Sequence, residues 1–479
     1  MPRMVRRAFR SPATTLAIVV ATLMTMPLAD SLYRVPIQVS DSLEPIVIAA
    51  KYDSAQHLLH DSVTFSPTTF RPLRYLQARA LLAFTQATGL TYHAVFRGLH
   101  VVLLLMLIAL FVAAVRVRNG PDLIAFTVAF PVLVGIHTFL SMLYEAFPVN
   151  HFAEVGICAM GVFVLAQHQP RWFVPVVACV LLILSLSVIE SGAMVWVTVI
   201  CCAAAGLRGT NRTTVVATTV VFAGYLLMRH ALGISSPGIG GHGSGFGDRF
   251  YSPEELAQRF GAHPLGFMLY NVTGGLASLL FAEPRQGVYS LLAAWRQGQI
   301  HPVVLINVIS SSATTALLIW YAAARLPRSR SAWSDADRTF VAACMAFIVN
   351  AAFNAVYMKD EIMSPAGLFY AVATFVAVRA VIDSPPTRTL AATAFATCVL
   401  VTIAALWTFR VVGGHYQLRY HAFTTRNDWV DVLRPDKHDA WPDNPTELAV
   451  TQRIRAEAIG RRTTSPSFMP RWADRYWVE

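Results

Sequence analysis

The chain has 479 residues, 55% of them hydrophobic and only 14% charged, with a mean hydropathy of +0.50. A soluble chain of this length needs more charge to cover its surface, so these values exclude a water-soluble globular protein and point to repeated bilayer-spanning segments. The net charge of +11 and pI near 9.6 fit Lys and Arg gathered in cytoplasmic loops against anionic lipid; no folded domain presents the continuous basic face that nucleic acid requires.

The opening MPRMVRRAFR and the apolar run behind it resemble a signal peptide, but many further spans follow, so an uncleaved first helix with its basic end in the cytoplasm is expected. Apolar runs predict membrane spans at about 12–28, 95–115, 121–140, 150–167, 172–188, 191–206, 213–230, 302–324, 339–357, 362–382 and 388–409. With the N-terminus inside, the cytoplasmic connections carry Arg116 and Arg118, His168–Arg171, Arg208 and Arg212, Arg325–Arg338 and Arg379–Arg388. The opposite turns around Glu145 and Glu190 carry acid and no base. The expected fold is therefore an all-α polytopic membrane protein of about 11 transmembrane helices, N-in and C-out.

That scheme requires residues 72–92 not to cross. LRYLQARALLAFTQATGL has helical apolar spacing but includes Arg74, Gln77 and Arg79, which suits an amphipathic helix along the interface. The second large exterior loop, 231–301, begins ISSPGIGGHGSGFGD. Its G-x-G-x-x-G match has no preceding strand and no Rossmann unit, so it reads as a flexible loop. Residues 265–281 then give a second amphipathic or re-entrant segment. The transmembrane domain is expected to end near residue 410, where composition changes. The tail, 411–479, holds Trp429, Trp441, Trp472 and Trp477 among many charges, with a short helix at Thr446–Ile459, as a small exterior cap or a partly ordered tail. All six cysteines fall in apolar runs without metal or disulfide spacing, as small core residues do.

The chemistry concentrates in the first exterior loop, 29–94, with its five carboxylates Asp30, Asp41, Glu44, Asp53 and Asp61. Ser40-Asp41-Ser42-Leu43-Glu44 reads as a helix start with Ser40 as N-cap, the helix running on to Asp53. Capping and the helix dipole account for Glu44 as well as function does. Asp41 is the favoured general base, Asp53 its rival, and Asp61 a solvated loop acid. Arg71 and Arg74 flank Pro72, which fits the first turn of the interfacial helix; they either snorkel to headgroups or clamp a phosphate through bidentate bonds. Lys359 either pairs with Asp360 or Glu361 or is a second phosphate ligand, and Arg229-His230 combines the same two roles. Glu190 has nothing basic near it in sequence and reads as a functional boundary acid or a simple turn residue. His137, Glu145, His151 and Glu154 show no tight metal spacing, which leaves a divalent cation open as a cofactor.

The first-loop acids followed by FRPLRYL, then LSVIESG (like a recurring Lys-Glu-Ser-Gly step without its Lys), YLLMRHALG (like a recurring Tyr-Leu-x-x-Arg step) and YMKDEIMSPAG resemble, in order and placement, the GT-C superfamily of polytopic glycosyltransferases. Protein O-mannosyltransferases and aminoarabinose transferases belong to it, and the resemblance covers most of residues 12–385. It implies a polyprenyl-phosphate-linked sugar donor, a glycan, lipid or protein acceptor, inverting transfer, and an active face outside the cytoplasm, here of a bacterial inner membrane. Asp41 then matches the family's first-loop acid. The usual Asp-Glu or Asp-Asp pair is replaced by Asp41-Ser42 and by Tyr52-Asp53-Ser54. Two other readings compete: a transporter or lipid flippase, which predicts broken helices with polar residues at mid-depth and related halves, and a non-catalytic subunit of envelope-glycan assembly. No internal repeat supports the transporter.

Overall fold

The computed structural model describes residues 11–39, 42–52, 54–64, 70–144, 149–234, 244–246, 249–261, 263–281, 288–298, 300, 302–327, 329–356, 358–383, 389–431 and 444–461. Their regular structure is helical apart from one short antiparallel hairpin. In chain order, α1 (Pro12–Arg34) is followed by three loop helices, α2 (Leu43–Lys51), α3 (Ala55–Thr64) and α4 (Pro72–Thr88), and then by α5 (Tyr92–Val115). The bundle continues with α6 (Gly120–Gly135), α7 (His137–Tyr144), α8 (His151–Ala166), α9 (Val174–Val188), α10 (Met194–Ala205) and α11 (Arg212–Ala231). After the hairpin of β1 (Ser244–Phe246) and β2 (Arg249–Tyr251) come α12 (Pro253–Phe260), α13 (Pro264–Phe281), α14 (Val288–Gln297), α15 (Pro302–Arg325), α16 (Asp335–Asn350), α17 (Ser364–Ile382), α18 (Leu390–Asp431) and α19 (Pro445–Gly460).

Each of the eleven expected spans falls on a helix. By length and composition, eight of the described helices can cross a bilayer, or nine if α6 and α7, bent by 48°, form one span. Three expected spans, α8, α9 and α10, are shorter apolar helices; at 1.5 Å per residue they reach only about 18–24 Å against a hydrocarbon core of about 30 Å. α17 is the central helix, with every residue from Ser364 to Val378 buried. The helices around it show lipid their outer apolar side chains, such as Leu23, Val220 and Leu227. Lipid gives apolar side chains no reason to prefer one another over acyl chains, so close packing of small residues carries the assembly. Gly135 illustrates this: a Cβ there would lie 2.9 Å from the Trp407 carbonyl oxygen of α18.

The bundle has two distinct ends. At one, Arg379 Nε meets Asp122 Oδ1 at 2.6 Å, Arg208 meets Asp335 at 3.4 Å, and Arg338 donates to the Gly206 carbonyl at 2.7 Å. This is the arginine-rich end. The other is the loop end, where α2–α4 and α19 gather.

Segment 264–281 forms a helix whose length alone would let it cross, yet its contacts show a shallower path. Asn271 donates to Ala355 in the turn before α17, and the Leu280 carbonyl accepts from Thr315 Oγ1 at 2.5 Å, midway along α15. α15 itself runs from the loop end to Tyr321, which bonds Asp337 at the arginine-rich end. α13 therefore enters from the loop end and its last turn lies level with the middle of α15.

The compositional change at residue 411 is not a break in the backbone. α18 runs unbroken for 42 residues, about 63 Å at 1.5 Å per residue and twice the hydrocarbon thickness. Its C-terminal half stands beyond the bilayer as a post against which a second, smaller core assembles. Ile37, Leu43, Ile46, Ala78, Tyr92, Phe96, Trp429, Val450 and Ile454 form that core, drawn from the first loop and from the C-terminal segment together. The helix expected at Thr446–Ile459 is α19, with Asn444 as its N-cap, accepting from the Thr446 and Glu447 amides.

Candidate functional site

Glu190 is the hub of the loop-end cluster. Ile189 is extended (φ −161°, ψ 150°), which ends α9 and turns Glu190 inward. Ser185 Oγ donates to the Gly192 carbonyl at 3.0 Å, and a Cβ on Gly192 would fall 2.3 Å from the Ser185 carbonyl. Only glycine allows that closeness. Arg71, at the N-cap of α4 with Pro72 fixing the first turn, places Nη2 at 2.7 Å and Nε at 3.0 Å from Glu190 Oε2. Arg229, near the end of α11, reaches Oε1 at 3.3 Å while also donating to the Tyr225 hydroxyl at 3.2 Å. Residues separated by 119 and 39 positions thus converge on one carboxylate, so Glu190, with nothing basic near it in sequence, has two cations beside it in space. The side chains of Arg71, Glu190 and Arg229 remain 21%, 32% and 11% exposed, so the cluster is recessed but open.

A second polar group adjoins it. Gln77, one and a half turns along α4 from Arg71, donates to Glu154 Oε1 at 2.5 Å, and His151 Nδ1 lies 3.2 Å from Glu154 Oε2. Arg74 follows Arg71 in the first turn of α4, its amide donating to the Arg71 carbonyl at 3.2 Å. His100 bonds Arg97, a buried cation within α5 that donates to the Val35 and Pro36 carbonyls at 2.8 and 2.7 Å and so pins the entrance of the first loop. Gln77, Glu154, Tyr225 and Arg97 were not singled out as site residues from sequence. Arg97 carried a readable signal, a charge inside an otherwise apolar span.

Of the proposed bases, Asp41 and Asp53 lie outside the described residues, as do Ser40 and Glu145. α2 starts at Leu43 with Ser42 as its N-cap. Glu44 is exposed in the first turn of that helix, where capping and dipole chemistry would put it. Asp30 pairs with Arg34 at 2.8 Å and Arg419 at 3.5 Å on an exposed surface. Burial and the neighbouring Asp61 push the Tyr52 hydroxyl up to about 12. Lys359 belongs to another group: it faces Glu361 at 3.9 Å, while Asp360 approaches His137 Nε2 at 3.8 Å. His137 also bonds Ser278 of α13 at 2.8 Å. Among the described residues, no group of three or more His, Cys, Asp or Glu side chains is placed to hold a metal ion.

The chain matches no known family model, no characterised protein and no solved structure. What it does must come from the geometry.

Proposed function

We propose that the protein is a membrane glycosyltransferase of the GT-C type, which moves a sugar from a polyprenyl-phosphate-linked donor to a glycan, lipid or protein acceptor with inversion. The supporting observation is the convergence of Arg71 and Arg229 on Glu190 at the loop end: two cations for one carboxylate, 2.7 and 3.3 Å away. Glu190 holds both guanidiniums in place in a recess that stays partly exposed, so an arriving phosphate would meet donors already positioned for it. Arg suits that task because its planar fork offers charge-assisted, paired hydrogen bonds. The amphipathic α4, which starts at this cluster, is built to lie along the interface from which a lipid-linked donor arrives.

In this reading Asp41, with Asp53 as its rival, takes the proton from the acceptor hydroxyl or amine. The acceptor oxygen or nitrogen bonds the anomeric carbon from the face opposite the phosphate, the bond from that carbon to the phosphate oxygen breaks, and its electron pair leaves with the lipid phosphate. Arg71, Arg74 and Arg229 stabilise the charge that develops there. The reading takes the loop end to face away from the cytoplasm, because the short connections at the opposite end carry Arg116, Arg208 and Arg338 and it is short connections that the positive-inside rule counts. The measurement is transfer from a labelled polyprenyl-phosphate sugar by purified protein. Loss on Asp41→Asn or Asp53→Asn supports the reading. Full activity in both removes the assignment of the base, and a wild type that neither binds nor transfers from such donors removes the enzyme.

Three observations favour a transporter or flippase instead. α13 ends at mid-depth, the α6–α7 helix is broken at Ile136, and Arg410 is buried inside the bundle on Ser310 and Ser311 at 3.0 and 2.9 Å. Broken helices around intramembrane polar groups are how such proteins line a path. Substrate movement across proteoliposomes without covalent transfer would decide for that reading.

A further inference from the structure

The C-terminal helix contributes a charged side chain to the start of α5. The first four amides of an α-helix have no partner within it. In α5, Thr91 Oγ1 accepts from the Ala94 amide, while the amides of Tyr92 and His93 donate to the two carboxylate oxygens of Glu457 at 3.3 and 3.1 Å. Glu457 sits more than 360 positions away along the chain, on α19. A carboxylate at that position is also favoured by the positive end of the helix dipole.

The contact is one of several. Arg453, one turn before Glu457, pairs with it at 3.6 Å and lies 5.0 Å over the Tyr92 ring, and Arg461 lies 5.4 Å over the Tyr33 ring. Val450, Ile454 and Ala458, on one face of α19, pack into the small core with Ile46 and Phe96. From α18, Trp429 Nε1 donates to the Ile37 carbonyl at 2.5 Å and Arg426 donates to the Ile459 carbonyl at 3.3 Å. Both margins of the first loop, at 33–37 and at 92–93, are thereby held by residues of 426–461.

We infer that α19 is a strap that fixes the first loop over the bundle, with Glu457 as a positioning residue for the site that the loop carries. The part of this that concerns catalysis rests on the proposed transferase reading; the strap itself does not. Removing the carboxylate frees two helix-start amides and loosens the loop entrance, while the lipid-phosphate cluster at Arg71, Glu190 and Arg229 keeps its own partners. The expected consequence is slower turnover with little change in donor KM.

Hydrogen exchange by mass spectrometry on the full-length protein in detergent tests the strap directly, because the Tyr92 and His93 amides have Glu457 as their acceptor. Glu457→Ala is expected to speed exchange in the 90–96 peptide about tenfold and to leave the 103–111 stretch unchanged; Glu457→Asp is expected to restore part of the protection. Ile454→Asp, which attacks the apolar contact instead, is expected to do the same without touching the carboxylate. Unchanged exchange at 90–96 in both Glu457→Ala and Ile454→Asp overturns the strap. Faster exchange with kcat unchanged keeps the strap and overturns the positioning role. If no variant and no wild type transfers sugar, the transferase reading fails, while the exchange data still decide on the strap.

Discussion

The two ends of the bundle use the same residue types differently. At the arginine-rich end, Arg379 meets Asp122 at 2.6 Å and is also paired with Asp383, one cation for two carboxylates. At the loop end, Arg71 and Arg229 share Glu190, two cations for one carboxylate. The first arrangement sets its one cation between two acids and ties α6 to α17. The second gathers two guanidiniums on one acid in a recess that stays partly exposed, the geometry on which the proposed phosphate capture rests.

The largest expected effect comes from the turn that aims Glu190. Gly192→Ala puts a Cβ 2.3 Å from the Ser185 carbonyl, and backbone must move. A loss of about 3 kcal/mol in detergent unfolding is expected, together with loss of anion binding. Glu190→Gln comes next. It leaves two recessed guanidiniums facing each other, for a loss of about 2 kcal/mol, read as a lower thermal midpoint that added pyrophosphate partly restores. The same substitution logic at the other end, Asp122→Asn, is expected to lower stability but to show no rescue by pyrophosphate; equal rescue at both ends would erase the distinction between them. A third test exchanges geometry while keeping charge. Arg229→Lys is expected to weaken binding of a short polyprenyl phosphate about tenfold, or about 1.4 kcal/mol, while Arg379→Lys leaves that affinity unchanged. The smallest effect belongs to the exposed pair of Arg34 and Asp30, with side chains 52% and 48% exposed; Arg34→Ala is expected to change stability by less than about 0.5 kcal/mol.

Helices were legible because an apolar run of bilayer length admits few other structures. The amphipathic α4 was legible for a related reason: Arg74, Gln77 and Arg79 cannot face lipid, and the helix lies outside the set long and apolar enough to cross. The shallow path of α13 was partly legible, as a second amphipathic or re-entrant segment, although its depth comes only from Thr315 and Ala355. The change of composition near residue 411 does not end the helix: α18 continues to Asp431, since backbone hydrogen bonding is indifferent to whether the side chains are apolar or charged. The cluster on Glu190 left no periodic trace, since Arg71 and Arg229 arrive from other helices through tertiary packing. Glu457 was hidden for the same reason. Helix-capping acids are normally sought within the first turn, whereas this one crosses from the far end of the chain.

Equilibrium binding of a labelled polyprenyl-phosphate sugar to purified protein tests the proposed capture of a lipid-linked phosphate at the loop-end cluster. The double substitution Arg71→Ala with Arg229→Ala is predicted to raise Kd about 100-fold, or about 2.8 kcal/mol, with Arg379→Ala binding as the wild type does. Unchanged affinity in the double variant, or an equal loss in Arg379→Ala, would rule out phosphate capture by this cluster.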